Sequence, residues 1–125
     1  MKIAPAGLLV VGLFVSASTI QADDDFPVKK TLSLETALKA VAAAEAEATR
    51  RGATVVIAVV DDGGHLVVLH RLDDTQVASV EVGIGKARTA AIFRRPSKVI
   101  GAIGVSGNTP EEDEDIAKAG AAALK

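Results

Sequence analysis

Two β-branched runs joined by an Asp-Gly-Gly turn fix the middle of this chain. Thr54-Val-Val-Ile-Ala-Val-Val-Asp61 is too short and too branched for a preferred helix. His65-Leu-Val-Val-Leu-His-Arg71 returns as a second run of the same kind. Asp62-Gly63-Gly64 between them supplies residues that tolerate positive φ, so the two runs form a β-hairpin. The sheet therefore starts antiparallel, and the helices around it must cover it.

Helical signals flank the hairpin on both sides. Ser33 can cap a helix over 34–51 whose first turn holds Glu35, with Arg50-Arg51 at its negative end and Gly52 beyond it. Leu34, Leu38, Val41, Glu45 and Ala48 fall on one face of that helix, and alanine dominates the rest. After Asp73-Asp74-Thr75, a second helix is predicted from about Gln76 to Phe93, with Val77, Val80, Ile84, Ala87 and Ala91 as its inward stripe. Arg94-Arg95-Pro96 stops it. A glycine-rich third strand follows over 100–106. Thr109, Pro110 and Glu112 then stand at the N-cap, N1 and N3 positions of a last helix, from 110 to about 124. The order α-β-β-α-β-α predicts an α+β domain of two layers, an antiparallel sheet covered by helices.

Composition removes several functions. The 125 residues contain no cysteine, so disulfides, thiolate metal sites and a cysteine nucleophile are excluded. The aromatic residues are Phe14, Phe26 and Phe93, too few for a base-stacking platform. A formal charge of −2 lacks the basic footprint of a nucleic-acid binder.

Residues 1–22 have the layout of a secretory signal peptide. Lys2 gives the positive start, Ile3 to Ile20 is apolar apart from small or hydroxyl residues, and Ala22 precedes Asp23-Asp24-Asp25. The apolar run is broken by Pro5, Gly7 and Gly12, which disfavours an uncleaved membrane anchor. Export to the periplasm or medium is expected, leaving residues 23–125 as the mature domain with no stable membrane anchor.

Three local motifs are read as structural. Gly83-Ile-Gly85-Lys86-Ala87 has a likeness to a phosphate loop, but Val80 replaces the upstream glycine, and Ala87 stands where a hydroxyl should bind magnesium. Gly101, Gly104 and Gly107 lack dinucleotide-fingerprint spacing and are read as close-packing positions. The acids from Glu111 to Asp115 read as a solvated helix start favoured by its dipole. Of the two histidines, His65 begins a strand beside two glycines, where a ligand has easy access. His70 lies five residues on, which on a regular strand turns it to the opposite face.

Three blocks carry a resemblance. Ala58-Val-Val-Asp61-Asp-Gly63-Gly64-His65-Leu66 is the first. Gly85-Lys86-Ala87-Arg88-Thr89-Ala90-Ala91-Ile-Phe93 with Arg95-Pro96 is the second. Ile100-Gly-Ala-Ile-Gly-Val-Ser-Gly107, followed by Asp115-Ile116-Ala117-Lys-Ala119-Gly120, is the third. In this order the chain resembles the GlcG/HbpS family. The resemblance implies a small α+β domain that assembles into homo-oligomers and, in exported members, binds haem, sometimes with slow haem degradation and a role in iron or redox sensing. It also implies a tetrapyrrole theme that extends to corrinoids. No catalytic residue follows from it.

The chain departs from the family in one place. Family members carry a further segment with its own strand between the Arg-Pro and the Ile-Gly-Ala-Ile-Gly blocks, whereas here Val99 runs straight into Ile100. The third strand is thus left without a hairpin neighbour, and an exposed sheet edge is expected. With no Cys or Tyr, and Met only at the start, the side chains available to haem iron are His65, His70, Lys86 or a hydroxyl such as Thr89. The blocks that carry the resemblance imply His65, Lys86, Arg88 and Thr89 as the haem contacts. His65 and Thr89 are the candidates at iron, and Arg88 is a bidentate propionate partner. The alternatives are a truncated chain that binds no haem and acts only by associating with family partners, and a binder of another tetrapyrrole such as a corrinoid.

Overall fold

The protein is described by a computed structural model covering residues 7, 12, 16–21, 24, 26–93 and 99–125. The signal-peptide cleavage point at Ala22 lies outside the described residues. Among the described residues, no helix is long and apolar enough to cross a membrane.

Helix α1 (Leu34–Arg51) starts at Ser33, whose hydroxyl accepts the Thr36 N–H at 3.1 Å. It ends at Gly52 (φ 65°), where the Gly52 and Ala53 N–H groups reach back to the Thr49 and Ala48 carbonyls. Strands β1 (Val56–Asp61) and β2 (Leu66–Arg71) form the hairpin, followed by α2 (Ser79–Phe93), β3 (Gly101–Ser106) and α3 (Pro110–Ala122). The α+β class and the order α-β-β-α-β-α are as the sequence predicts. Thr109 caps α3, its hydroxyl accepting the Glu112 N–H at 3.3 Å and donating to the Glu112 carboxylate at 3.1 Å. The N-cap half of the expected capping box is present, while the Glu112 carboxylate meets the Thr109 hydroxyl and not the Thr109 N–H.

The sheet is antiparallel throughout, in the order β2-β1-β3. β3 finds its partner across the molecule: Val56 pairs with Ser106 and Asp61 with Gly101. β2 and β3 are both edge strands.

Helices lie on both faces of the sheet, so it is the middle of three layers and not one of two. The reason is β1, buried from Val56 to Val60 without alternation, as a strand covered on both sides must be. Val55, Ile57 and Val59 pack with Val41, Ala44 and Ala48 of α1 and Ile116 of α3. Ala58 and Val60 pack with Ala87 and Ala91 of α2.

The inward faces of α1 and α2 differ from expectation in the same direction. In α1 the buried residues are Ala37, Ala40, Val41, Ala44 and Ala48, while Leu34 and Leu38 are exposed. In α2 they are Ser79, Gly83, Ala87 and Ala91, and Val77 is 73% exposed. Both helices turn their small residues inward because their neighbours come very close. A Cβ placed on Gly104 of β3 would lie 2.4 Å from the Gly83 carbonyl oxygen and 2.5 Å from the Ala87 nitrogen. Side-chain size, and not hydrophobicity alone, decides which stripe faces the sheet.

Candidate functional site

The hairpin turn is built by Asp61, whose Oδ1 accepts the N–H groups of Gly63 and His65, both at 2.9 Å. Gly64 within it has φ 82°, and any Cβ there would lie 2.9 Å from Arg88 Cγ and 3.0 Å from Ile92 Cδ1. Only glycine satisfies both the backbone and the space. Asp62, on the other side of the turn, pairs with Lys29, which holds its carboxyl below the usual carboxylate range.

This turn abuts the middle of α2. Arg88 Nε donates to the Gly64 carbonyl oxygen at 3.2 Å, and Ile92 packs on the same glycine. The His65 ring lies over Gly63, with Cδ2 and Nε2 at 3.1 and 3.3 Å from where a Cβ of that residue would stand. His65 is exposed, and no bond to either ring nitrogen is found among the described residues. One more residue along α2, Thr89 is exposed on the outer surface. Three of the four sequence-predicted contacts thus fall on the turn and the exposed part of α2. An imidazole, a guanidinium and a hydroxyl suit an iron atom with a propionate nearby.

Lys86 lies on the other flank of α2, away from that corner. Its Nζ donates to the Val105 carbonyl oxygen at 2.9 Å and to Asp113 Oδ2 at 3.1 Å. Asp113 is 5% exposed, and its Oδ1 accepts the Asn108 N–H at 3.0 Å. The acidic run is therefore not uniformly solvated: Asp113 is an internal tie between α2, β3 and α3. The available signal was the only Asp between Pro110 and Glu114, since the shorter carboxylate reaches a neighbouring backbone N–H where Glu overshoots.

His70 also differs from expectation. The β1–β2 register shifts between Val59 and Val60, so one residue of β2 is extra and the strict alternation fails. His70 pairs with Ile57 in the sheet, and the His65 carbonyl accepts the Asp61 N–H at 2.8 Å. The spacing that set the two histidines on opposite faces assumed a regular strand and is no guide across this irregularity. They remain apart because His70 Nδ1 meets Glu45 Oε1 of α1 at 2.5 Å, whereas His65 stays in the turn.

Three grooves line the outer side of β3. The largest, ≈ 410 Å³, lies between α2 and α3 and includes Ala90, Ile103, Glu114 and Lys118. Two others, ≈ 280 and ≈ 240 Å³, border Lys86 with Asp113 and Leu32 with Leu124. None of the three is lined by His65, Arg88 or Thr89.

A three-layered α+β domain with an Asp-Gly-Gly-His turn seated on its lone-faced helix defines the class of protein. The sequence model of the family described as haem degrading protein HbpS-like matches residues 32–100 and 97–122. The chain belongs to the HbpS-like family. Protein GlcG of Escherichia coli (strain K12) is 44% identical over 70 residues, 56% of this chain and 52% of that protein. The chain thus spans about half the length of the curated relatives it first matches. The crystal structure of HbpS superposes with a TM-score of 0.77 at 27% identity, covering 86% of this chain and 99% of that one. A crystal structure titled as a PduOC:heme complex shares the fold, with a TM-score of 0.69 at 23% identity, over 77% and 96% of the two chains. The two matched stretches of the family overlap at 97–100.

Proposed function

We propose that this protein is an exported haem-binding protein, with haem held where the Asp61–His65 turn meets α2. The observation that carries the proposal is the Arg88–Gly64 contact, which brings an exposed imidazole and a guanidinium to one corner in a chain of a haem-named family. His65 would meet the iron with Thr89 beside it, Arg88 would pair with a propionate, and Ile92 would give apolar cover. Bound haem supplies the iron chemistry, and the chain's own groups bind and orient it. Lys86 is assigned to the fold, since Val105 and Asp113 already engage its ammonium. Haem turnover forms no part of the proposal. Titration of purified protein with haemin tests it: a shifted, saturable Soret band supports haem binding, and free-haemin spectra at every ratio refute it.

Export is proposed on the layout of residues 1–22. N-terminal sequencing of secreted protein should begin at Asp23. Intact Met1 in a membrane fraction would contradict it.

The association-only reading also has an observation in its favour. The family segments meet at 97–100, and β3 is left at the sheet edge. A folded, associating protein that gives no Soret shift would establish that reading instead.

A further inference from the structure

The register of the sheet decides which backbone groups of β3 face outward. In β1 the Asp61 N–H and the Val55 carbonyl bond on the β2 side, so Val56, Ala58 and Val60 turn their backbone groups towards β3. Their partners there are Ser106, Gly104 and Ala102. The backbone groups of Gly101, Ile103 and Val105 therefore point away from the sheet, where no further strand pairs among the described residues. At Val105 the carbonyl is capped by Lys86 Nζ, which Asp113 holds in turn. Gly101 and Ile103 have no such cap among the described residues. The ≈ 410 Å³ groove begins where that cap ends, running beside 99–103 between Ala90 of α2 and Ala117 and Ala121 of α3. The ≈ 240 Å³ groove reaches the same stretch from the Leu32 and Leu124 side. Glu114 and Lys118 on the rim of the larger groove pair with each other at 2.8 Å.

We propose that the Gly101–Ile103 edge of β3 is a docking slot for one extended, uncharged segment of a partner protein, which joins the sheet as a fourth strand. Outward N–H and carbonyl groups in strand geometry are matched by another strand's backbone, so main-chain bonds supply the affinity. The walls set the side chains. Ala90 on one face and Ala117 and Ala121 on the other leave room for β-branched residues, and the Glu114–Lys118 pair leaves no charge for a charged segment to meet. The form of the slot selects a lone strand over a second folded copy. Lys86 reaches from α2 past the end of β3 to Asp113 of α3, so the two helices overhang the edge between them. A second copy's β3 carries the same overhanging helices, and these would collide before the strands came within pairing distance of about 4.8 Å. His65, Arg88 and Thr89 do not line the slot, so this site lies apart from the corner proposed for haem.

Calorimetric titration of the full chain, without haem, with an end-capped peptide of alternating valine and threonine, about seven residues long, tests the proposal. Saturable one-to-one binding is expected, with the Gly101 and Ile103 N–H groups newly protected from hydrogen exchange. The same peptide N-methylated at alternate amides should bind roughly tenfold more weakly or not at all, because it loses the bonds to the edge. Replacing its valines by glutamate should weaken it too. Ala90→Glu and Ala121→Glu should each weaken binding of the first peptide with the melting transition retained, since glutamate is a good helix former and neither alanine is buried. Absence of saturable binding overturns the proposal, as does equal binding of the N-methylated peptide or protection confined to residues outside β3. A chain that self-associates without peptide, with Gly101 and Ile103 already protected, would put a second copy in the slot and overturn it as well. Haem binding is read separately from the Soret band, so failure of one site does not stand for failure of the other.

Discussion

Lys86 Nζ of α2 lies 3.1 Å from Asp113 Oδ2 of α3, and the same ammonium lies 2.9 Å from the Val105 carbonyl oxygen at the end of β3. One side chain thereby ties together two helices on opposite faces of the sheet and the strand between them. The carboxylate end is buried and the ammonium end is half exposed. The two halves of the pair should therefore respond differently to removal.

Asp113→Ala should cost about 1–3 kcal/mol, because it strips the partner from both the Asn108 N–H and the Lys86 ammonium. Lys86→Ala should cost less, about 1 kcal/mol, as expected for a partly solvated ion pair. Urea midpoints measure both. If Lys86→Ala abolished a haem Soret shift at unchanged stability, Lys86 would belong to the ligand site and not to the fold.

Gly104→Ala should destabilise the protein by about 1–3 kcal/mol or more, since the new methyl would strike the α2 backbone at Gly83 and Ala87. Thermal unfolding gives the readout. A native midpoint would mean that α2 does not lie this close to β3.

Thr109→Ala removes the hydroxyl that accepts the Glu112 N–H, with an expected cost of about 1 kcal/mol. An unchanged urea midpoint would place the start of α3 elsewhere.

Glu47 is held down to about 2 from its ordinary 4.5, first by its side-chain hydrogen bonds from Arg50 and Arg51. A carboxyl whose folded value lies below its unfolded value contributes stability that is complete above pH 4.5 and lost as pH falls towards 2. The native protein should be more stable than Glu47→Gln at neutral pH, and the gap should close across that acid window. A gap that persists at pH 2 would contradict this origin.

Periodicity and capping made the elements legible: Ser33, Gly52 and Thr109 mark the helix ends, and Asp62-Gly63-Gly64 marks the hairpin. The facing of α1 and α2 was not legible, because Ala44 and Ala87 are inward for their size, and the size limit is set by a neighbour distant in sequence. The β2 irregularity was also hidden, since it depends on how Val59 and Val60 pair and not on either run alone. At the site, His65 and Arg88 could be nominated from their blocks. That they share a corner while Lys86 turns away needed the path of α2 across the sheet.

Soret spectroscopy of haemin with the purified protein and its single-site variants tests the central claim most directly. His65→Ala and Thr89→Val should each move the Soret maximum or weaken binding, whereas Arg88→Gln should lower affinity with the spectrum largely retained. His70→Ala should do less, because Glu45 holds that imidazole against α1. A band abolished by His70→Ala and untouched by His65→Ala and Thr89→Val would contradict the placement of haem at the turn and α2.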